Sequence, residues 1–245
     1  MLLRTFRRNL LRSRPDKLKP VNYAVCIDIE CTCDSPVQLH PREIIEIACL
    51  KIDLIKERKG DEPLIRAPIS QGPSSGKPHP LMDYPKFHSF VKPVFNPELT
   101  VFCQQLTGVM QSTVDKAQLV ESMTNSLCTW LREQNLIDEN LNPKEEFAFA
   151  SCGNFDLGIL APIMRQCKFR DGLDLPVYFT EWINVKKTFF NHRKEWPKSL
   201  YHMLEILGEE PSGRLHSAEN DCRNLARIIE CLRSDGCVLR ITNRA

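Results

Sequence analysis

The stretch Tyr23-Ala24-Val25-Cys26-Ile27-Asp28-Ile29-Glu30-Cys31-Thr32 constrains this chain more than any other. It is an apolar run of strand length that ends in two carboxylates. Residues two apart on a strand share a face, so Asp28 and Glu30 project together. The other parity, Tyr23, Val25, Ile27 and Ile29, is wholly apolar. A central strand with two acids on one face is costly unless a cation neutralises them. Either a metal sits there, or arginine or lysine does.

The rest of the pattern is that of an α/β chain. Glu43 to Leu54 resumes an apolar run whose later part alternates as a half-exposed strand. Phe87 to Val91 reads as a strand returning to it. Between them, 56–86 is rich in Pro, Gly, Ser and charge and reads as a loop insertion. Phe102 to Leu106 fits a short helix closed by Gly108, and a longer helix is expected from Val114 to Gln134. Phe147 to Cys152 is a further strand, followed at Asp156 by a helix with Leu157, Leu160, Ala161 and Met164 buried. Another strand is expected within Tyr178 to Val185. Ser199 caps a helix Leu200 to Leu207, stopped by Gly208, and a last helix runs from Ala218 to Leu232. Strands that come first and later alternate with helices predict one layered α/β domain around a mixed sheet.

Charge is unevenly placed. Residues 1–20 hold seven cations against Asp16, a net +6, which leaves −4 for the remainder of a +2 total. An acidic body is not a charge-driven nucleic-acid clamp; it fits a carboxylate-rich site neutralised by metal. The 1–20 segment reads equally as a basic N-terminal arm or as a mitochondrial targeting segment. Eleven cysteines without a CxxC pair predict reduced thiols rather than a disulfide framework or zinc site, and so an intracellular compartment, cytoplasmic or nuclear. No apolar run reaches membrane-spanning length.

Asp28, Glu30, Asp156, His216 and Asp221 each sit at an element boundary. With Ser217 as N-cap, His216 is N′ and Asp221 is N4, positions that a helix start brings together. Asp221 also leads the inward stripe Leu225, Ile228 and Leu232. Clustered carboxylates suit Mg²⁺ or Mn²⁺, and two such ions can assist an in-line phosphoryl displacement. A histidine titrating near neutrality suits proton abstraction from water. Taken singly, an Asp-x-Glu pair is weak, Asp156 is more simply a helix cap, and His216 is more simply a turn residue. Together and in this order they favour a metal site.

Ile27-Asp28-Ile29-Glu30-Cys31-Thr32, Cys152-Gly153-Asn154-Phe155-Asp156-Leu157 and the stretch from Gly213 to Ala226 resemble the three motifs of the DEDDh (DnaQ-like) nucleases. Cys33-Asp34, His40 to Glu46, Phe102 to Gly108 and Trp182 to Lys187 are similar to the Eri-type exoribonucleases, the three-prime histone mRNA exonuclease group. The resemblance covers Tyr23 to Cys231. Two positions depart from the pattern: Asn154 stands where an acid is common, and Leu215-His216-Ser217-Ala218 replaces His-His-Ser-Gly. Neither removes a catalytic group.

The resemblance implies an RNase H-like fold, a mixed sheet of about five strands flanked by helices, with the exonuclease domain over 21–240. It implies two Mg²⁺ ions, or Mn²⁺, on Asp28, Glu30, Asp156 and Asp221, with His216 as general base. Thr32, Leu106 and Thr107 are expected near the terminal nucleotide, and Phe155 and Trp182 as base-stacking aromatics, with core packing the weightier reading of those two. The implied activity is 3′→5′ hydrolysis of RNA with a free 3′ end, single-stranded or overhanging, to nucleoside 5′-monophosphates. Alternatives are a DNA-preferring or short-oligonucleotide nuclease of the same superfamily, or a non-catalytic RNA-binding protein on the same fold.

Overall fold

A computed structural model describes residues 20–55, 84–169 and 174–244. Most of the basic arm (1–19) and most of the expected insertion (56–83) lie outside the described residues. The sheet is built from β1 (Tyr23–Cys31), β2 (Ile44–Asp53), β3 (Lys86–Phe90), β4 (Phe147–Ser151), β5 (Glu181–Asn184) and β6 (Asn243–Arg244), in spatial order β3-β2-β1-β4-β5-β6. β1 is antiparallel to β2 and parallel to β4, and β4 is parallel to β5. The mixed sheet agrees with expectation. A sixth strand, β6, adds antiparallel to β5 and carries the folded unit beyond the expected boundary at 240.

The two parities of β1 face different layers. Val25, Ile27 and Ile29 pack against α3 (Val120–Glu133) and α4 (Phe155–Lys168), through Met123, Leu127, Leu131, Leu157 and Leu160. Ala24 and Cys26 face the layer of α5 (Val185–Arg193), α6 (Leu200–Leu207) and α7 (Ala218–Ser234). Small residues dominate where α7 meets the sheet: Ala24, Cys26, Ala48, Ala218 and Cys222 are all buried. The helix therefore lies close enough for Cys222 Sγ to donate to the Ala48 carbonyl at 3.2 Å. That close approach brings the N-terminus of α7 to the acid-bearing end of β1. All eleven cysteines are free thiols.

One sequence expectation is corrected. The helix expected over Val114 to Gln134 is two helices, α2 (Gln111–Val114) and α3. They are separated because Gln118 is drawn to the sheet edge, bridging Val91 and accepting from Lys92 N–H through its carbonyl at 2.9 Å. The strand expected within Tyr178 to Val185 is β5; a one-turn 3₁₀ helix (Val177–Phe179) precedes it, and helix α5 begins directly after it at Val185. The Asn184 side chain caps α5 by accepting from Lys187 N–H at 3.1 Å. α1 (Val101–Thr107) ends as expected at Gly108, whose φ of +77° is the left-handed conformation that favours glycine. Among the described residues no helix is long and apolar enough to cross a membrane.

Candidate active site

β1 and β4 are parallel neighbours, and β1 has β2 on its other side. Their C-terminal ends therefore open a crevice where the direction of chain winding changes, a common place for a site in an α/β sheet. β1 pairs with β4 only from Tyr23 to Cys26. Beyond that the strand edge is free, and Asp156 occupies it: Ile29 N–H donates to Asp156 Oδ1 at 3.1 Å. Ser151, the last residue of β4, donates its hydroxyl to Asp156 Oδ2. Asp156 thus lies in the first turn of α4 but spends its carboxylate on the sheet, not on capping the helix.

Asp28 and Glu30 project from β1 toward the α7 layer. Glu30 lies directly opposite Glu46 of β2. At the start of α7, Ser217 is the N-cap, as the spacing predicts. His216 N–H donates to Asp221 Oδ2 at 3.2 Å. His216 has φ +56°, a strained conformation for a side chain of this size. Ligand atoms of Glu30, His216 and Asp221 all lie within 4.8 Å of one another. Asp221 is buried and His216 exposed, so the imidazole stands at the mouth and the acids behind it.

The turn that carries His216 is anchored from two sides. Gly213 has φ +75°, and a Cβ there would come 2.4 Å from the Asn220 side chain. Arg214 reaches across to donate to the Gln105 carbonyl of α1, and its guanidinium fills the space a Cβ on Gly108 would need. The position of His216 is therefore tied to α1.

The electrostatics are those of buried, mutually repelling carboxylates. Burial, then repulsion from Asp156, Glu30, Asp221 and Glu46, pushes the Asp28 carboxyl well above the usual carboxylate range. Burial, then Asp221, Glu46 and Asp156, pushes Glu30 up to about 8. Burial raises Asp156 to about 6, against the opposing hydrogen bonds from Ser151 and Ile29. Burial also raises Asp221, opposed by the bonds from Tyr201 and His216. Among the described residues no lysine or arginine pairs with any of the four. The donor set, carboxylate oxygens with one imidazole, fits a hard divalent cation.

Three of the residues expected at the substrate are committed elsewhere. Thr32 is buried and its hydroxyl accepts from Glu43 N–H at 3.0 Å. Thr107 is buried, donates to the Cys103 carbonyl and accepts from Val109 N–H. Trp182 is 3% exposed, packed in the core, and donates its indole N–H to the Gly153 carbonyl at 2.9 Å. It cannot stack a base; it steadies the turn before Asp156 instead. Leu106 is half-buried, and Phe155 is 43% exposed, with the Arg42 guanidinium 5.6 Å from its ring centre. These two do present surface.

Two further residues belong to the site's surroundings. Glu46, buried at 4%, accepts from Ala218 N–H of α7 at 3.3 Å and pairs with His88 at 2.8 Å. Its signal in the sequence is an acid inside the otherwise apolar Ile44-Ile45-Glu46-Ile47-Ala48. Tyr201 of α6 donates its hydroxyl to Asp221 Oδ1. Nothing in the sequence singles it out. With Tyr201 on one oxygen and His216 N–H on the other, the Asp221 carboxylate is held in one orientation. Tyr201→Phe is expected to weaken divalent-cation binding about tenfold, the scale set by residues that orient metal ligands. Titration with Mn²⁺ followed by electron paramagnetic resonance checks it, and an unchanged binding curve would show that Tyr201 does not orient Asp221.

Comparison with known proteins agrees with this geometry. A family model described as Exonuclease matches residues 79–229, well over half of the chain. ERI1 exoribonuclease 3 of Homo sapiens is 32% identical over 224 residues, 91% of this chain and 57% of that protein. The 3'-5' exonuclease Snipper of Drosophila melanogaster is 26% identical over 244 residues, 94% of this chain and 77% of that protein. The solved nuclease domain of 3'hExo, a DEDDh family member, bound to rAMP, superposes with a TM-score of 0.70 at 26% identity, covering 92% of this chain and 98% of that one. The chain spans a little over half the length of the ERI1 exoribonuclease 3 proteins it matches. The chain belongs to the exonuclease family, and its likeness runs to the Eri-type, DEDDh members of that family.

Proposed function

We propose that this chain is a divalent-metal-dependent 3′→5′ exonuclease that removes nucleoside 5′-monophosphates from RNA with a free 3′ end. The observation that carries the reading is the convergence of Asp28, Glu30, Asp156 and Asp221 at one sheet crevice, beside His216, with no lysine or arginine paired to them among the described residues. These four acids would hold two Mg²⁺ ions, or Mn²⁺. When bound, the ions supply positive charge to the attacking and leaving oxygens of an in-line displacement.

The chain's own residues supply the rest. Asp156 and Asp221 enter the site pre-oriented, the first by Ile29 N–H and Ser151, the second by His216 N–H and Tyr201. Less ligand motion is then needed when the cation arrives. His216 stands at the exposed mouth, within reach of Glu30 and Asp221, and takes the proton from the attacking water. Its turn is tied through Arg214 to the C-terminal end of α1, where Leu106 gives an apolar edge. We assign the terminal nucleotide to the space between that edge and the acids, with Phe155 on the opposite rim. RNA rather than DNA is taken from the ERI1 exoribonucleases to which the chain is similar.

A 5′-labelled oligoribonucleotide tests this. With Mg²⁺ it is expected to shorten stepwise from its 3′ end, releasing 5′-monophosphates, and to stay intact in EDTA. Endonucleolytic fragments, or shortening that persists in EDTA, would overturn the reading. A matched DNA strand assayed beside it decides the sugar preference.

A further inference from the structure

The helix that sequence reasoning missed carries a feature that the site does not use. Of the three tryptophans, Trp130 and Trp182 are buried, while Trp196 is 55% exposed. Phe190 of α5 is 40% exposed, and the two rings meet edge to face with centres 5.6 Å apart. Two large aromatic rings left side by side in water are unusual without a partner. Lysines surround them. Lys186 shares a face of α5 with Phe190, one turn away. Lys194 ends the helix in a left-handed conformation, and Lys198 is exposed in the following loop. Glu195 is the one acid in that loop.

This patch is continuous with the site. β5 is parallel to β4, so α5 begins at the sheet edge where the acids converge. Lys186 Nζ donates to the Lys198 carbonyl at 2.7 Å, which fixes the returning loop beside the first turn of α5. Ser199 then caps α6, and Tyr201 in its first turn binds Asp221. A path therefore leads from Asp221 through Tyr201 to Lys198 and Lys186, and one turn further to Phe190 and Trp196.

We propose that this ridge is a binding platform for the single-stranded nucleotides that precede the scissile linkage, with Phe190 and Trp196 stacking bases and Lys186 and Lys198 meeting phosphates. Paired aromatics among lysines match the two surfaces a single strand offers, base faces and a charged backbone. The occupant is a nucleic-acid strand because the ridge starts where such a strand's reacting end must lie. The proposal rests on the exonuclease reading. It adds a length dependence: substrates of several nucleotides gain over a dinucleotide because only they reach the aromatics.

The test measures binding in Ca²⁺ of a 5′-fluorescein oligouridylate of about eight nucleotides, long enough to span one such surface. Trp196→Ala and Phe190→Ala, both at exposed positions, are expected to weaken it roughly tenfold each. They should also shrink the advantage of this strand over UpU in kcat/KM. Lys198→Gln is expected to reduce the slope of log affinity against log salt by about 0.7. In the parent protein the strand should quench the solvent-exposed tryptophan emission, and Trp196→Phe should remove that quenching. Octamer affinity unchanged in both aromatic variants would overturn the ridge while leaving stepwise hydrolysis, and so the exonuclease reading, intact; the exposed pair would then serve a protein partner. A parent protein that neither binds nor shortens the strand would remove both.

Discussion

Asp28→Asn is expected to abolish stepwise hydrolysis and, at the same time, to raise the melting temperature of the metal-free protein. The two effects have one cause. Asp28 lies at the centre of the repulsion: Asp156, Glu30, Asp221 and Glu46 all act on it, and burial adds to them. Asparagine keeps the shape and removes the charge, so metal-free repulsion falls. For a chain of this size each kcal/mol relieved shifts the melting temperature by about 2–4 °C. Without Asp28's charge the remaining acids hold the cations poorly. Loss of activity should exceed about a hundredfold, the upper range for residues that only orient a metal ligand. Calorimetry in EDTA and in Mg²⁺, alongside the oligoribonucleotide assay, reads both. Residual turnover near the parent rate would remove Asp28 from the mechanism. A lower melting temperature in EDTA would show that its carboxylate makes a stabilising contact instead. Such opposition between stability and function is common where a site concentrates like charges.

That opposition also bears on the non-catalytic alternative. A fold kept only to bind RNA would gain stability by losing any of these acids, yet Asp28, Glu30, Asp156 and Asp221 are all present, with hydrogen bonds that orient two of them. The Asp28→Asn comparison separates the readings directly. A binding protein would keep its RNA affinity and show no turnover with either residue.

What could be read from the sequence was what depends on local periodicity. The parity of β1 placed Asp28 and Glu30 on one face and the aliphatics on the other, and the layers fill as that parity requires. The spacing of His216 and Asp221 about Ser217 predicted their meeting because helix-start geometry is local. α5 was not legible: Val185-Lys186-Lys187-Thr188-Phe189-Phe190 has no clean apolar stripe, and its cap, Asn184, reads equally as a strand end. Contacts across the fold were not legible either. The bond from Tyr201 to Asp221 depends on how α6 lies against α7, and Trp182's burial depends on β5 lying inside a six-stranded sheet. Thr32 and Thr107 are themselves expected near the terminal nucleotide, but burial turns both hydroxyls to the backbone.

The same acids make metal-free stability depend on pH in an unusual direction. For Glu30 the ordinary value is 4.5 and the folded value about 8. For Asp156 the values are 3.8 and about 6. Between those limits the folded state holds more protons than the unfolded chain, so unfolding free energy falls as pH rises. The contribution is fully present below the ordinary values and lost as pH climbs through the folded ones. Groups shifted the other way, such as Glu219 at about 2 beside Arg223 and Lys86, act only on the acid side of 4.5 and leave this window clear. In EDTA the melting temperature should therefore decline from about pH 5 to about pH 8.5. With Mg²⁺ the decline should flatten or reverse, because cations bind the ionised acids and displace their protons. The stabilisation that Mg²⁺ confers thus grows with pH. Glu30→Gln should make the decline between about pH 6 and 8 shallower, with Asp28, shifted up in the same way, carrying the rest. A melting temperature in EDTA that rises over this range, or a decline that Glu30→Gln leaves intact, would show that these carboxyls are neutralised within the protein, and that the crevice was not built to wait for a cation.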